Sequence, residues 1–149
     1  MTTELTLAEL EGAAGLELEP SDWVTIEQRA IEQFADATGD HQWIHVDPER
    51  AAQGPFGTTV AHGYLSLALL PGLLGSVLRV SDARMGVNYG IEKVRFTAPV
   101  PSGSRVRLKA VIHSAERRGE GVLYRVGAEV EIEGVDKPAL VGEVVYLVF

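Results

Sequence analysis

The run from Tyr64 to Leu78 restricts the fold of this chain more than any other stretch. Tyr64, Leu65, Leu67, Ala68, Leu69, Leu70, Leu73, Leu74, Val77 and Leu78 cover nearly the whole circumference of a helix. A helix that is apolar all round is buried on all sides. Ser66, Pro71, Gly72, Gly75 and Ser76 interrupt the run, which is also too short for a membrane span. The predicted helix begins near His62 and runs to about Leu78. Pro71 should bend it, because its nitrogen cannot donate to the carbonyl of Leu67.

Everything after this helix reads as strand. Val87, Tyr89 and Ile91 alternate, and the phase then shifts to Val94 and Phe96, which predicts a bulge or bend between them. Val106, Leu108, Ala110 and Ile112 form a second alternating set, and Val122, Tyr124, Val126, Ala128, Val130 and Ile132 a third. Pro99 to Gly103, Glu116 to Gly121 and Gly134 to Lys137 supply the turns. Ala139 to Phe149 is apolar on both phases except at Glu143, as expected of a central strand.

Before the apolar run the elements are short. Residues 5–11 suit a helical turn, 12–20 a connector, and 23–26 a strand. A helix follows, with Ile31, Phe34, Ala35 and Thr38 on one face. Thr25 and Gln28 have capping-box spacing, with Ser21 and Asp22 as competing caps. Gly39 suits the left-handed residue that ends this helix. Asp47-Pro48 suits the cap and first residue of another. One long buried helix with several long antiparallel strands is α+β. A curved antiparallel sheet wrapped around that helix buries both, which is the geometry of a hot-dog fold. The expectation is a single domain over residues 1–149, with 1–19 as an N-terminal extension.

Composition sets the function classes. The 149 residues are 46% hydrophobic and 23% charged, enough to bury a core without staples. There is no cysteine, which excludes disulfides, thiolate metal sites and a cysteine nucleophile and is compatible with a reducing cytoplasm. A formal net charge of −8 argues against nucleic-acid binding. The first residues, Met1 to Leu5, lack the basic-then-apolar pattern of a signal peptide. The expected protein is cytoplasmic, without membrane or nucleic-acid partners.

Candidate chemistry concentrates in Thr38-Gly39-Asp40-His41-Gln42-Trp43-Ile44-His45-Val46-Asp47-Pro48. Asp40 and His45 are five residues apart; in a loop pinned by a helix at each end they can converge. A carboxylate beside an imidazole can orient it, fix its tautomer and share proton transfer. The same spacing also suits a turn-capping aspartate and a half-buried histidine. Asp47 reads as a helix cap and His41 as peripheral. His62 fits either the site or simple packing at the helix start. The spacing of His41, His45 and His62 matches no zinc pattern, so no metal is expected. Gly63 falls at the start of the apolar helix, where the first N–H groups lack acceptors and the helix dipole is positive. A ligand can approach closely there, and such an N–H can stabilise an oxyanion, although an ordinary packing glycine fits the position as well. Lys93, Arg95, Arg105, Arg107 and Lys109 form the one basic stretch, free of acidic residues. It reads either as a solvated strand face or as a patch for a phosphorylated ligand tail, with Lys93 and Arg95 the better candidates.

Together these motifs resemble a known family. Phe34 to Asp47 is similar to the hydratase-2 motif of the MaoC-like dehydratases, the (R)-specific enoyl-CoA hydratases, close to the mycobacterial and nodulation-protein-N-like branch. Ala61-His62-Gly63-Tyr64 resembles the start of that family's central helix. Asn88-Tyr89-Gly90, Lys93-Val94-Arg95-Phe96 and Pro99-Val100 resemble the strand that follows it. The resemblance spans roughly residues 20–149 and implies a hot-dog homodimer with CoA bound near the subunit interface. It implies (R)-specific, reversible hydration of a trans-2-enoyl thioester of CoA or acyl-carrier protein, a carbon–oxygen lyase reaction with no cofactor. Asp40 and His45 would be the catalytic pair, and Gly63 the oxyanion donor. Gln42, His62, Tyr64, Asn88, Lys93 and Arg95 are the further candidate substrate contacts. Gln42-Trp43 stands where the commoner motif has Asn-Pro, and Pro71 where some members carry a polar residue. Phe56, Trp43, Tyr64 and Leu65 are candidates to line an acyl tunnel. The competing readings are a hot-dog thioesterase, which activates water at the carbonyl, and a non-catalytic acyl-thioester-binding partner subunit.

Overall fold

The computed structural model describes residues 1–149. Its dominant feature is a five-stranded antiparallel sheet. The strands are β2 (Val24–Thr25), β4 (Gly86–Phe96), β5 (Arg105–Arg118), β6 (Gly121–Ile132) and β7 (Val135–Val148), in the order β2-β5-β6-β7-β4. A small parallel pair, β1 (Thr3–Leu5) and β3 (Leu78–Val80), lies apart. The helices are α1 (Leu7–Glu11), α2 (Gln28–Thr38), α3 (Trp43–Val46), α4 (Pro48–Ala52), α5 (Gly63–Ala68) and α6 (Leu70–Val77).

The alternating residues read from the sequence are the ones that build the core. Val106, Leu108 and Ile112 of β5 and Val122, Val126 and Val130 of β6 turn inward, and are at most 2% exposed. They meet Leu65, Leu70, Leu73, Leu74 and Val77 of the central helices. Leu70 is 1% exposed; truncating such a side chain to alanine removes about 2–5 kcal/mol. Leu10 of α1 and Leu18 join the same core. Residues 15–21 run along the outer edge of β5, where Gly15, Leu18 and Ser21 donate to the carbonyls of Ile112, Ala110 and Leu108. β7 lies between β6 and β4, the central position its two-sided apolar pattern requires.

Three expectations need correction. The apolar run is two helices rather than one, because the chain breaks at Leu69, just before Pro71. Nor is it buried all round: Tyr64, Ala68, Pro71, Gly72, Gly75 and Ser76 form an exposed stripe, with Tyr64 70% exposed. The sheet of one chain covers only one side of the helices. Thr25 and Gln28 form no capping box. Thr25 is held in β2 opposite Arg105, and α2 is preceded by Glu27 without a side-chain cap.

The phase shift in β4 is real and has two sources. The pairing of β4 with β7 slips between Asn88 and Gly90, and again between Glu92 and Arg95. At the second slip, Lys93 and Val94 oppose the single residue Gly142, and Lys93 is the only non-glycine residue with positive φ, at 54°. Gly142 is required there, since a Cβ would lie 2.7 Å from Val94 Cα. β4 is an edge strand of the sheet, and Val87, Tyr89, Ile91 and Phe96 are exposed along it.

Candidate active site

The segment between α2 and α4 is fixed at both ends as its glycine and proline dictate. Gly39 adopts φ 82°, and its N–H closes α2 on the Ala35 carbonyl at 2.8 Å. At the other end, Asp47 accepts from the Arg50 N–H at 3.1 Å, and Pro48 starts α4. The residues between them include one helical turn, α3, where an irregular loop was expected. That turn carries His45 inward. Trp43 packs outward, under the Arg50 guanidinium and against Gly54, rather than lining a tunnel.

His45 is 7% exposed, and its Nδ1 lies 2.7 Å from the Val60 carbonyl. A carbonyl only accepts, so Nδ1 carries the proton and Nε2 keeps its lone pair. The Gln28 amide donates to the His45 carbonyl at 2.8 Å and accepts from the buried Thr59 hydroxyl at 2.7 Å. Gln28 and Thr59 are therefore parts of the site that sequence reasoning missed. They are far from the motif in sequence, and no local pattern marks them.

Asp40 is exposed, and its Oδ1 accepts from the Gln42 N–H at 3.3 Å. A carboxylate oxygen of Asp40 and a ring nitrogen of each of His45 and His62 all lie within 4.8 Å of one another. His62 is 3% exposed; its Nε2 lies 2.9 Å from the Asp40 carbonyl, and its Nδ1 is buried without a partner. The His45 and His62 rings stack at 3.8 Å and 21°. Ring lone pairs lie in the ring planes, so two stacked imidazoles do not converge on one metal ion. The arrangement suits proton transfer better than metal binding.

Gly63 opens α5, where its N–H has no intrahelical acceptor. The Phe96 ring lies against it so closely that a Cβ would come within 2.8 Å of Phe96 Cδ2. His45, Gly63, Ser66, Phe56 and Phe96 line one cavity of about 310 Å³. Ser66 is a third missed residue; it is 5% exposed, and its only sequence signal is that it interrupts the apolar run. The cavity thus joins an imidazole with a free lone pair, a helix N-terminus and an apolar wall. A larger depression, about 670 Å³, lies on the outer sheet face among residues such as Lys109, His113 and Glu129. It has neither a helix N-terminus nor a buried base.

The remaining sequence candidates are dispersed. Gln42 precedes α3, with its side chain making no cap bond. Tyr64 points outward, edge-on to Phe96. Leu65 belongs to the core. Asn88 lines a separate cavity of about 280 Å³ with Pro71, Gly90 and Tyr146; burial pushes the Tyr146 phenol up to about 12. His41 is exposed and pairs with Asp36 at 2.9 Å, which raises its pKa. Arg105 pairs with Glu133, and Arg107 and Lys109 with Glu131, so this part of the basic stretch is neutralised by β6 and the turn after it. The Arg107 hydrogen bond holds the Glu131 carboxyl below its usual value. Lys93 and Arg95 pair with no carboxylate and lie on β4 just before Phe96.

A sequence model of the MaoC like domain matches residues 9–133. The chain belongs to the MaoC-like family. It is 54% identical over 144 residues to 3-hydroxyacyl-thioester dehydratase Z of Mycobacterium tuberculosis, covering 96% of this chain and 95% of that one. It is 47% identical over 142 residues to nodulation protein N of Rhizobium leguminosarum bv. viciae, covering 92% and 87%. Among solved structures, the unliganded R-hydratase PhaJ1 from Pseudomonas aeruginosa matches with a TM-score of 0.76 and 26% identity, over 97% of this chain and 85% of that one. The chain is accordingly a MaoC-like hydratase or dehydratase, a carbon–oxygen lyase with the hot-dog fold. No helix of this family member is long and apolar enough to cross a membrane.

Proposed function

We propose that the protein catalyses reversible, (R)-specific hydration of a trans-2-enoyl thioester to the (R)-3-hydroxyacyl thioester. The observation that carries this reading is the buried His45 with a free Nε2, beside the Asp40 carboxylate and in the same cavity as Gly63. His45 Nε2 takes a proton from a water that Asp40 helps to orient. The water oxygen bonds to C3, the C2–C3 π pair moves toward C1, and charge develops on the thioester oxygen. Gly63 N–H stabilises that oxygen; losing such a donor costs on the order of 10²–10³ in rate. C2 then takes a proton from the pair, so the elements of water are added and His45 is again neutral. The steps need no metal or redox cofactor.

The apolar wall of Phe56 and Phe96 gives the acyl group cover. Unpaired Lys93 and Arg95 are the cations available to phosphates of a CoA or acyl-carrier-protein carrier. The working unit is a homodimer through β4. A long apolar edge strand left open is an aggregation hazard, and a second copy both pairs the edge and covers Val87, Tyr89 and Ile91. An acidic, cysteine-free chain of this chemistry suits the cytoplasm.

The test is a crotonyl-CoA hydration assay with chiral analysis of the product, comparing wild type with Asp40→Asn and His45→Gln. The expected result is loss of the conjugated-enoyl absorbance, an (R) product and no free thiol. Both variants should lose about 10²–10⁴ in kcat/KM. Full activity in both variants sinks the mechanism. Thiol release without hydration points to a thioesterase, and binding without turnover to a non-catalytic subunit.

A further inference from the structure

We infer that His62 is a positioning residue for the proposed hydration, holding the main chain of Asp40 so that its carboxylate stays beside the His45 imidazole. The inference rests on the hydratase reading above. His45 needs no help from His62: its ring is fixed by the Val60 carbonyl and its main chain by Gln28. Asp40 is different. Its own N–H reaches only Thr38 Oγ1, at 3.4 Å, and its carboxylate accepts only from Gln42, at 3.3 Å. Both partners are two residues away, so these bonds shape the turn without placing it against the rest of the protein.

The single hydrogen bond from Asp40 to a distant segment is the 2.9 Å contact between its carbonyl and His62 Nε2. A carbonyl only accepts, so His62 is the Nε2–H tautomer. Its unpartnered Nδ1 then carries the lone pair and has no other task within the fold. The ring is packed between His45, at 3.8 Å, and Phe34, at 4.9 Å. The donor therefore cannot swing away. His62 also immediately precedes Gly63, so one residue ties the carboxylate turn to the helix start that carries the oxyanion donor.

Two substitutions separate the bond from the ring. His62→Phe keeps a ring on His45 and removes the donor. His62→Gln removes the ring and keeps an amide N–H at about the reach of Nε2. With crotonyl-CoA, His62→Phe should lower kcat on the order of 10–100-fold with KM within about threefold, as misplacing a catalytic group does. His62→Gln should recover most of that loss. In an Asp40→Asn background, His62→Phe should cost little more, because both changes act on the same group. If His62→Phe melts below the assay temperature, His62→Asn, too short to reach the carbonyl, replaces it. Wild-type kcat in the variant lacking the donor, His62→Gln falling as far as His62→Phe, or full additivity with Asp40→Asn would each overturn the inference. An inactive, folded wild type would instead overturn the hydratase reading, and the inference with it.

Discussion

Replacing Gly63 with alanine separates the packing role of this glycine from the oxyanion role proposed for it. An added Cβ would lie 2.8, 2.9 and 3.1 Å from Phe96 Cδ2, Cγ and Cδ1, where ordinary contact begins at 3.4 Å. Rotating the ring about χ2 leaves Cγ where it is. Phe96 must therefore turn at χ1, or the start of α5 must retreat by about 0.6 Å. Overpacking of this kind costs roughly 1–3 kcal/mol. For a domain of this size, each kcal/mol is worth about 2–4 °C of Tm. The rate should fall further than stability alone explains, because a displaced Gly63 N–H no longer meets the thioester oxygen; the limit is on the order of 10²–10³. The assay is thermal melting together with crotonyl-CoA hydration, for Gly63→Ala, Phe96→Ala and the double variant. With the ring gone, Gly63→Ala should cost almost no further stability, giving a large coupling in the double-mutant cycle. An unchanged Tm in Gly63→Ala refutes the packing argument. Wild-type kcat in Gly63→Ala refutes the placement of the oxyanion donor.

Other outcomes follow from the same geometry. Gln28→Ala leaves the buried Thr59 hydroxyl and the His45 carbonyl without their partner; it should destabilise the fold by about 1–3 kcal/mol in chemical denaturation, and lower kcat. Asp36 raises the His41 pKa above 6.5 by accepting its hydrogen bond. That contribution to stability is complete below the unfolded value and is lost as pH rises through the folded one. In Asp36→Asn the His41 pKa measured by NMR should drop back, with a negligible change in Tm because the pair is exposed; an unmoved pKa would disprove the pairing. Ile91→Lys puts a charge on the open edge of β4; size-exclusion chromatography should then show a protomer where wild type runs as a dimer, and an intact dimer would place the interface elsewhere.

Periodicity and punctuation alone determined much of this protein. Alternation assigned β5 and β6 and their inward faces, because a strand with one face in the core must repeat every second residue, and an apolar pattern on both phases marked β7 as central. Gly39, Asp47 and Pro48 marked the limits of the segment that carries Asp40 and His45, because left-handed backbone, capping and fixed φ are local properties. The motif around Asp40, His45 and Gly63 pointed to the family. Tertiary structure decided what depends on neighbours distant in sequence. It exposed Tyr64 and one stripe of an apparently all-apolar helix, because the sheet of one chain covers only one side. It neutralised Arg105, Arg107 and Lys109 with glutamates on β6 and in the turn that follows it. It made Gln28 and Thr59 supports of His45 and gave His62 a hydrogen bond to Asp40. None of these partners stands at a spacing that a helix or strand repeats. The pairing of β5 with β6 joins the charges, and the packing of α2, α3 and the segment before α5 brings the others together.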